Sequence, residues 1–444
     1  MAARRPASAR SAADPANLTV GRVGADGDGI AALADGAAVF IADSLPGEVF
    51  ATGPLTRRGE GWAAPDARLL TASPDRQAPP CPHFGPCGGC TLQHWADVPY
   101  AAWKAGQLRT ALVRAGFADP PIGRLARTPP AARRRIDLAL RREGDRILVG
   151  LHQRRGRGVV DMHACPVLHP RLFALVGALR GVLPRVAGFR KAGSAVANLL
   201  DSGIDLLLRT DSPLQADDRV RLTELARAVG ACRVSWADEH GPRGGGGSEP
   251  ASTLEPATTL LAGVTVAPPP AAFLQASREG EAAITAAVLA GLPATLPRKA
   301  RIVELFAGCG TLTFALAERA RIIAYEGDPA AHMALRRAIA GRRIEAILRD
   351  LARQPLTAKD LAGAAAIVLD PPFGGALAQM PAIAASGVAR VIYVSCNPAA
   401  LSRDARLLSQ AGYGLAAASP IDQFLWSSGV ESVAVFTRGR SAGP

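Results

Sequence analysis

The chain changes its hydrophobic rhythm several times. Over residues 17–72, short apolar runs such as "LTV", "AAVFIA" and "EVFA" are divided by Asp-Gly and Pro-Gly turns. Strands this short, punctuated this way, predict a small closed β-barrel of the OB type. In "YAAWKAGQLRTALVRAGF", Ala101, Leu108, Leu112 and Val113 recur at helical spacing. From 133 to 163, Ile136, Leu138 and Leu140 alternate with Asp137, Ala139 and Arg141, the period of a half-buried sheet. Its charged segments, Arg133–Arg135 and Arg154, Arg155 and Arg157, are expected at strand ends. Beyond about 271 the runs "RIVELFA", "RIIAYEGD", "AAIVLDPP" and "VARVIYVSC" alternate with helical stretches, which predicts a doubly wound α/β domain with a parallel sheet. The expected division is a disordered tail (1–16), the barrel (17–72), a central β-rich domain with a flexible glycine-rich segment at 240–252 (73–270), and the α/β domain (271–444).

Charge sharpens this picture. The 444 residues carry a net charge of +13, and only four of the 51 basic residues are lysines (Lys104, Lys191, Lys299, Lys359). Such a chain attracts polyanions, nucleic acid first among them; a merely solvated basic surface is the alternative. No apolar run approaches the roughly 20 residues of a membrane span. The N-terminus has no apolar core of a secretory signal, so a cytoplasmic protein is expected. Seven cysteines are then better suited to metal binding or catalysis than to a disulfide framework.

The α/β domain carries the candidate chemistry. In "ELFAGCGTLT", Gly308 and Gly310 lie where a strand turns into a helix, flanked by Phe306 and Thr311. In such sheets that is where a ligand meets the backbone. Glu326 ends the next strand, 18 residues beyond Gly308, suitably spaced to accept hydrogen bonds from a ribose, and Asp350 follows the strand after. Thr313 stands where the third glycine of a dinucleotide fingerprint belongs, which favours S-adenosylmethionine over NAD. Asp370, stiffened by Pro371-Pro372, and Cys396, stiffened by Asn397-Pro398, end two further strands. A thiol at the open end of such a strand suits a nucleophile. A thiol combined with a methyl donor suits methylation of uracil carbon 5, which needs a sulfur on carbon 6 and then a base; Glu431 is the candidate base.

These residues carry a resemblance. The "DGDGIAAL…LPGE" segment is similar to a TRAM domain. Together with the Cys81, Cys87, Cys90 loop and the later Cys165, "FLQAS", "ELFAGCGTLT", "LDPP", "SCNP" and the terminal "VES", it makes the chain resemble the RNA uracil-5 methyltransferase family. The likeness is to the bacterial 23S ribosomal RNA branch that carries an iron–sulfur cluster, and it extends over nearly everything beyond residue 16. The resemblance implies Cys396 as nucleophile, Glu431 as base, and Gln275, Phe306, Thr311, Glu326, Asp350 and Asp370 around S-adenosylmethionine. It implies a Rossmann-like methyltransferase domain, a monomer, and an RNA substrate: 23S rRNA first, tRNA as the alternative. Three positions depart from the family's pattern: Phe373 for an arginine, Ser277 for an asparagine and Gly429 for a histidine.

By spacing alone, Cys81, Cys87, Cys90 and Cys165 suit zinc or an iron–sulfur cluster equally. The resemblance implies a 4Fe–4S cluster with a structural or RNA-positioning role. Cys232 and Cys309 are expected to pack in cores. Phe84, His83, His94 and Trp95 beside the cysteine loop suit either stacking on unpaired bases or packing around the metal. A non-catalytic RNA-binding module and a nitrogen methyltransferase are the rival functions. The first would consume no S-adenosylmethionine; the second would need no thiol.

Overall fold

The computed structural model describes residues 17–238 and 247–439. The expected 1–16 tail and residues 240–246 of the expected linker lie outside them. By packing, the described chain divides into two compact units. One comprises residues up to Gly85 with Gly89–Ala102 and Trp426–Ser428; the other comprises Pro86–Gly88, Trp103–Leu425 and the residues from Gly429 on.

In the first unit, alternate apolar residues of very short strands turn inward. A three-stranded sheet (Asn17–Thr19, Val49–Ala51, Arg68–Thr71) and a five-stranded sheet share a core of Leu18, Val39, Ile41 and Phe50. Burial raises the Glu48 carboxyl, but Arg76 and the N–H groups of Leu45 and Ser73 outweigh it and hold the group below the usual range.

The second unit holds two large sheets. The first, seven-stranded, is mostly antiparallel and centres on Arg135–Glu143 and Ala192–Leu199. Ile136, Leu138 and Leu140 face its core, where helices Pro170–Val182 and Ala216–Val229 contribute Leu172, Leu175, Leu222 and Leu225. Asp137 on the other face remains exposed.

The second sheet has eight strands. Ile344–Leu348, Arg321–Glu326, Arg301–Leu305, Ala366–Leu369 and Arg390–Ser395 lie side by side and parallel. Apart from Glu304 in the central strand and Glu345 in the edge strand, their interiors are apolar runs, as strands covered on both faces require. Glu431–Thr437 then joins antiparallel to Arg390–Ser395, followed by Gly414–Asp422 and the two-residue edge strand Ala126–Arg127. On one face Leu108 and Leu112 of helix Asp97–Arg114 pack with Val303, Leu305 and Tyr393. Val113, expected at the same apolar stripe, is exposed: one position past Leu112 is about 100° further round a helix.

The same helix inserts Lys104. Its ammonium is fully buried, donates to Asp422 Oδ1 at 2.9 Å and to the Phe424 carbonyl at 3.3 Å, and also reaches the Gly429 carbonyl. The pair holds the end of the Gly414–Asp422 strand in place. Removing one member of a buried ion pair costs about 3–5 kcal/mol. Arg127, whose Nε lies 3.8 Å from Asp422 Oδ2, pulls the cost toward the lower figure. Lys104→Met is therefore expected to destabilise the protein by about 3 kcal/mol in denaturant titration. An unchanged midpoint would contradict a structural role for the pair.

Candidate active site

Parallel strands present their carboxyl ends on one side of the sheet, and most candidate residues end or follow those strands; Glu431 instead begins the antiparallel strand and Gln275 precedes helix Arg278–Gly291. The turn after Arg301–Leu305 bends sharply. Phe306 takes a left-handed backbone (φ 63°), unfavourable for a bulky residue. Gly310 (φ 101°) has no room for a side chain, since a Cβ would lie 2.5 Å from the Phe314 ring. Thr311 lies half-buried in the same turn. Glu326 clamps it: one carboxylate oxygen accepts from Gly308 N–H and the other from Asp328 N–H, both at 2.6 Å. Asp350 is exposed next to Gly327, and its Oδ1 accepts from the N–H groups of Ala352 and Arg353 at 3.0 and 3.2 Å.

Cys396 follows the Arg390–Ser395 strand and is partly exposed. Asn397 caps helix Pro398–Gln410: its Oδ1 accepts from Ala399 and Ala400 N–H, and its Nδ2 donates to the Phe373 carbonyl at 2.9 Å. Pro398 occupies the first helical turn, where its missing N–H costs nothing. Ser395 pairs with Ser432 in the antiparallel ladder, so the next residues on either strand, Cys396 and Glu431, stand side by side.

Glu431 is nearly fully buried, and a chain of hydrogen bonds ties it to the neighbouring strand end. Gln423 Nε2 donates to Glu431 Oε2 and to Gln275 Oε1, each at 2.8 Å. Gln275 Nε2 donates to Asp370 Oδ2 at 3.1 Å. Loss of water pushes all of these acids up. Burial raises Asp370, while its bond from Gln275 works the other way. Burial and then the charge of Asp370 raise Glu431. Cys396 is pushed up to about 12 by burial and by the charges of Glu431 and Asp370.

Glu304 completes the set. It lies inside the central strand, and burial, followed by the charges of Asp370 and Glu326, pushes it up to about 8. Its Oε2 has no hydrogen-bond partner. Neither Glu304 nor Gln423 was singled out by the sequence. An acid within the apolar run "RIVELFA" was a usable signal for Glu304; "PIDQFLW" carries none for Gln423.

Phe273 and Phe373 are exposed large aromatics, and the Arg135 guanidinium lies 5.2 Å from the Phe273 ring centre. Ser277, the first departure from the family pattern, caps helix Arg278–Gly291 through Gly280 N–H at 2.9 Å, a task asparagine performs equally well. Cys81, Cys87, Cys90 and Cys165 are half-buried, and among the described residues no group of three or more His, Cys, Asp or Glu is arranged to hold a metal ion. Cys232 and Cys309 are buried in cores. No described helix is long and apolar enough to cross a membrane.

No family model matches the chain. Over 435 residues it is 39% identical to a Caulobacter vibrioides protein described as an uncharacterized RNA methyltransferase, covering 95% of this chain and 100% of that one. It is 33% identical over 445 residues to the Pectobacterium atrosepticum 23S rRNA (uracil(1939)-C(5))-methyltransferase RlmD, covering 97% and 96%. The chain belongs to the RNA uracil-5 methyltransferase family. The fold of this methyltransferase is also that of the Pyrococcus abyssi tRNA (uracil-54, C5)-methyltransferase, solved with S-adenosyl-L-homocysteine. The two match with a TM-score of 0.74 over 95% of this chain and 99% of the other, at 19% identity.

Glu304 gives the methyltransferase a testable pH dependence. Its folded-state pKa lies above the unfolded value of 4.5, so the folded protein keeps a proton that the unfolded chain gives up. That contribution is fully present below about pH 4.5 and is lost as pH rises through about 8. Melting curves of Glu304→Gln should fall less steeply with pH across this window than those of the unsubstituted protein; parallel curves would contradict the assignment.

Proposed function

We propose that the chain forms 5-methyluridine in RNA, with 23S rRNA as the substrate, and that Cys396 is the nucleophile and Glu431 the base. The observation that carries this is the placement of Cys396 and Glu431 as the residues next to the Ser395–Ser432 pair, close enough for Glu431 to act on the thiol, with Glu431 linked through Gln423 and Gln275 to Asp370. Carbon 5 of uracil is a poor nucleophile on its own. The Cys396 thiolate adds to carbon 6, and the displaced ring electrons form an enolate. Carbon 5 then takes the methyl group. S-adenosylmethionine supplies that group as an electrophilic sulfonium and departs as S-adenosylhomocysteine. Glu431 removes the carbon 5 proton, the carbon 5–carbon 6 double bond re-forms, and Cys396 leaves as thiolate.

Electrostatics supports the order of events. In the free protein Cys396 is held as a thiol by burial and by two neighbouring acids. A sulfonium cation in the same crevice offsets those negative charges and favours the thiolate. Gln275, Phe306, Thr311, Glu326, Asp350 and Asp370 are proposed to hold or line the place of this cosubstrate. The Phe273 ring beside Arg135 suits an unpaired base drawn out of the RNA.

Cys81, Cys87, Cys90 and Cys165 are proposed as ligands of a 4Fe–4S cluster, on the strength of four soft donors, their spacing and the family likeness. It has no part in the steps above, which move no electrons. The strand cluster at 17–72 is proposed as a TRAM-like RNA-binding domain, supported by the "DGDGIAAL…LPGE" likeness and the basic composition. All residues invoked belong to one chain, so a monomer suffices, working in the cytoplasm where ribosomal RNA is made.

Cys396→Ala is expected to keep RNA binding and lose methyl transfer by roughly 10⁴-fold or more. Full turnover by that variant would end the thiol mechanism and favour nitrogen methylation. Glu431→Gln should slow proton removal by about 10²–10⁴-fold and trap a protein–RNA adduct stable in denaturing gels. Tritium release from carbon-5-labelled uridine in 23S rRNA, compared with tRNA, tests the substrate. Release from tRNA alone would move the assignment to that RNA, and release from neither would sink it.

A further inference from the structure

We infer that Gln423 is the positioning residue for proton removal: it occupies Glu431 Oε2 and leaves Oε1 as the oxygen that takes the carbon 5 proton. This rests on the uracil methylation proposed above.

The inference follows from how the hydrogens of one buried amide are spent. Gln423 is 3% exposed. Its two N–H donors go to Glu431 Oε2 and Gln275 Oε1, and its own Oε1 accepts from Ala276 N–H at 3.1 Å. Turning the amide over would place oxygen against the oxygens of Glu431 and Gln275, and an NH2 against a backbone N–H. The orientation is thus set on three sides. Gln275 is set in turn, since its Oε1 accepts from Gln423 and its Nε2 donates to Asp370. The backbone around Gln275 is anchored too: Arg134 Nε donates to the Gln275 carbonyl at 3.1 Å, and Arg134 also pairs with Glu281. Gln423 itself follows Asp422, which the Lys104 ammonium holds.

The second observation is an unmet acceptor. Glu431 is 4% exposed, and its Oε1 is buried without any hydrogen-bond partner. Such an oxygen carries a desolvation penalty unless something meets it. A base that must take a proton needs one oxygen kept open, and the Gln423 bond determines which. Because Cys396 stands beside Glu431, a ring bonded to sulfur at carbon 6 brings carbon 5, one bond away, toward that open oxygen. In the step itself, Oε1 gains the carbon 5 proton. The C5–H electron pair becomes the double bond, the carbon 6–sulfur bond breaks, and the sulfur keeps its pair as thiolate.

The test separates the half-reactions. Unsubstituted protein, Gln423→Leu and Gln423→Glu are mixed with S-adenosylmethionine and carbon-5-tritiated RNA transcripts, ribosomal and transfer. First-turnover methyl transfer, tritium release and gel-stable adduct are followed together. For Gln423→Leu, tritium release should slow roughly 10–100-fold more than first-turnover methyl transfer does, and adduct should accumulate, less than the loss of the base itself would cause. Gln423→Glu sets a second carboxyl against Glu431, which already faces Asp370 and Cys396. Its half-maximal pH for tritium release should rise by about one unit. Unchanged tritium release in Gln423→Leu, or an equal fall in both steps, would overturn the assignment. So would an unshifted pH profile in Gln423→Glu, the variant that keeps the volume should the leucine form fold poorly. If the unsubstituted protein transferred no methyl to either RNA, the proposed function would itself fail, and with it this assignment.

Discussion

Carboxyl groups crowded into a space with little water are the constraint on which this site depends. Glu304 and Asp370 lie at or just past the carboxyl ends of two neighbouring parallel strands, Glu431 begins the antiparallel strand Glu431–Thr437, and burial raises each of them. Each charge also makes the next harder to form. A cation relieves that crowding, an anion worsens it. The arrangement therefore favours a positively charged cosubstrate for a reason separate from shape. The same burial and the charges of Glu431 and Asp370 push the Cys396 thiol up as well.

Holding such groups in register requires a stiff frame, and the frame is built from ordinary local chemistry. Asn397 caps one helix and also bonds the Phe373 carbonyl, tying the loop after Asp370 to the loop bearing Cys396. Asp404, fully buried, accepts from Tyr393 Oη at 2.6 Å and from Ala376 N–H at 2.7 Å, which fastens the far end of the Asp370 loop. Gly375 (φ 80°) passes where a Cβ would lie 2.6 Å from that carboxylate. Lys104 secures the strand end from which Gln423 projects. The four groups of the Glu431–Gln423–Gln275–Asp370 chain thus come from separate segments, each anchored by its own polar contact.

Departures from the family pattern are informative in this light. Ser277 exchanges one helix-capping side chain for another and leaves the helix start intact. Gly429 contributes through its carbonyl, which Lys104 meets, so this contact is made by the backbone. Phe373 differs: its side chain is exposed while its carbonyl is held by Asn397, so the position presents an aromatic face at a mouth where a guanidinium is usual.

Much of this was written in periodicity and turn chemistry. The parallel sheet showed as apolar runs between helical stretches, and the strand-ending Glu326, Asp370 and Cys396 were legible because each is a polar residue at the edge of such a run. Asn397-Pro398 was legible as a stiff stop after the strand, and the structure adds that Asn397 caps the following helix. The edge strand Ala126–Arg127 was not, because two residues carry no period. Nor were the hydrogen-bond partners of Gln423, Gln275 and Lys104, which lie up to 325 positions distant. Local pattern determines which elements form and where their ends fall. Which oxygen of Glu431 the Gln423 amide occupies, and which is left without a partner, is decided only when distant strand ends pack together and exclude water.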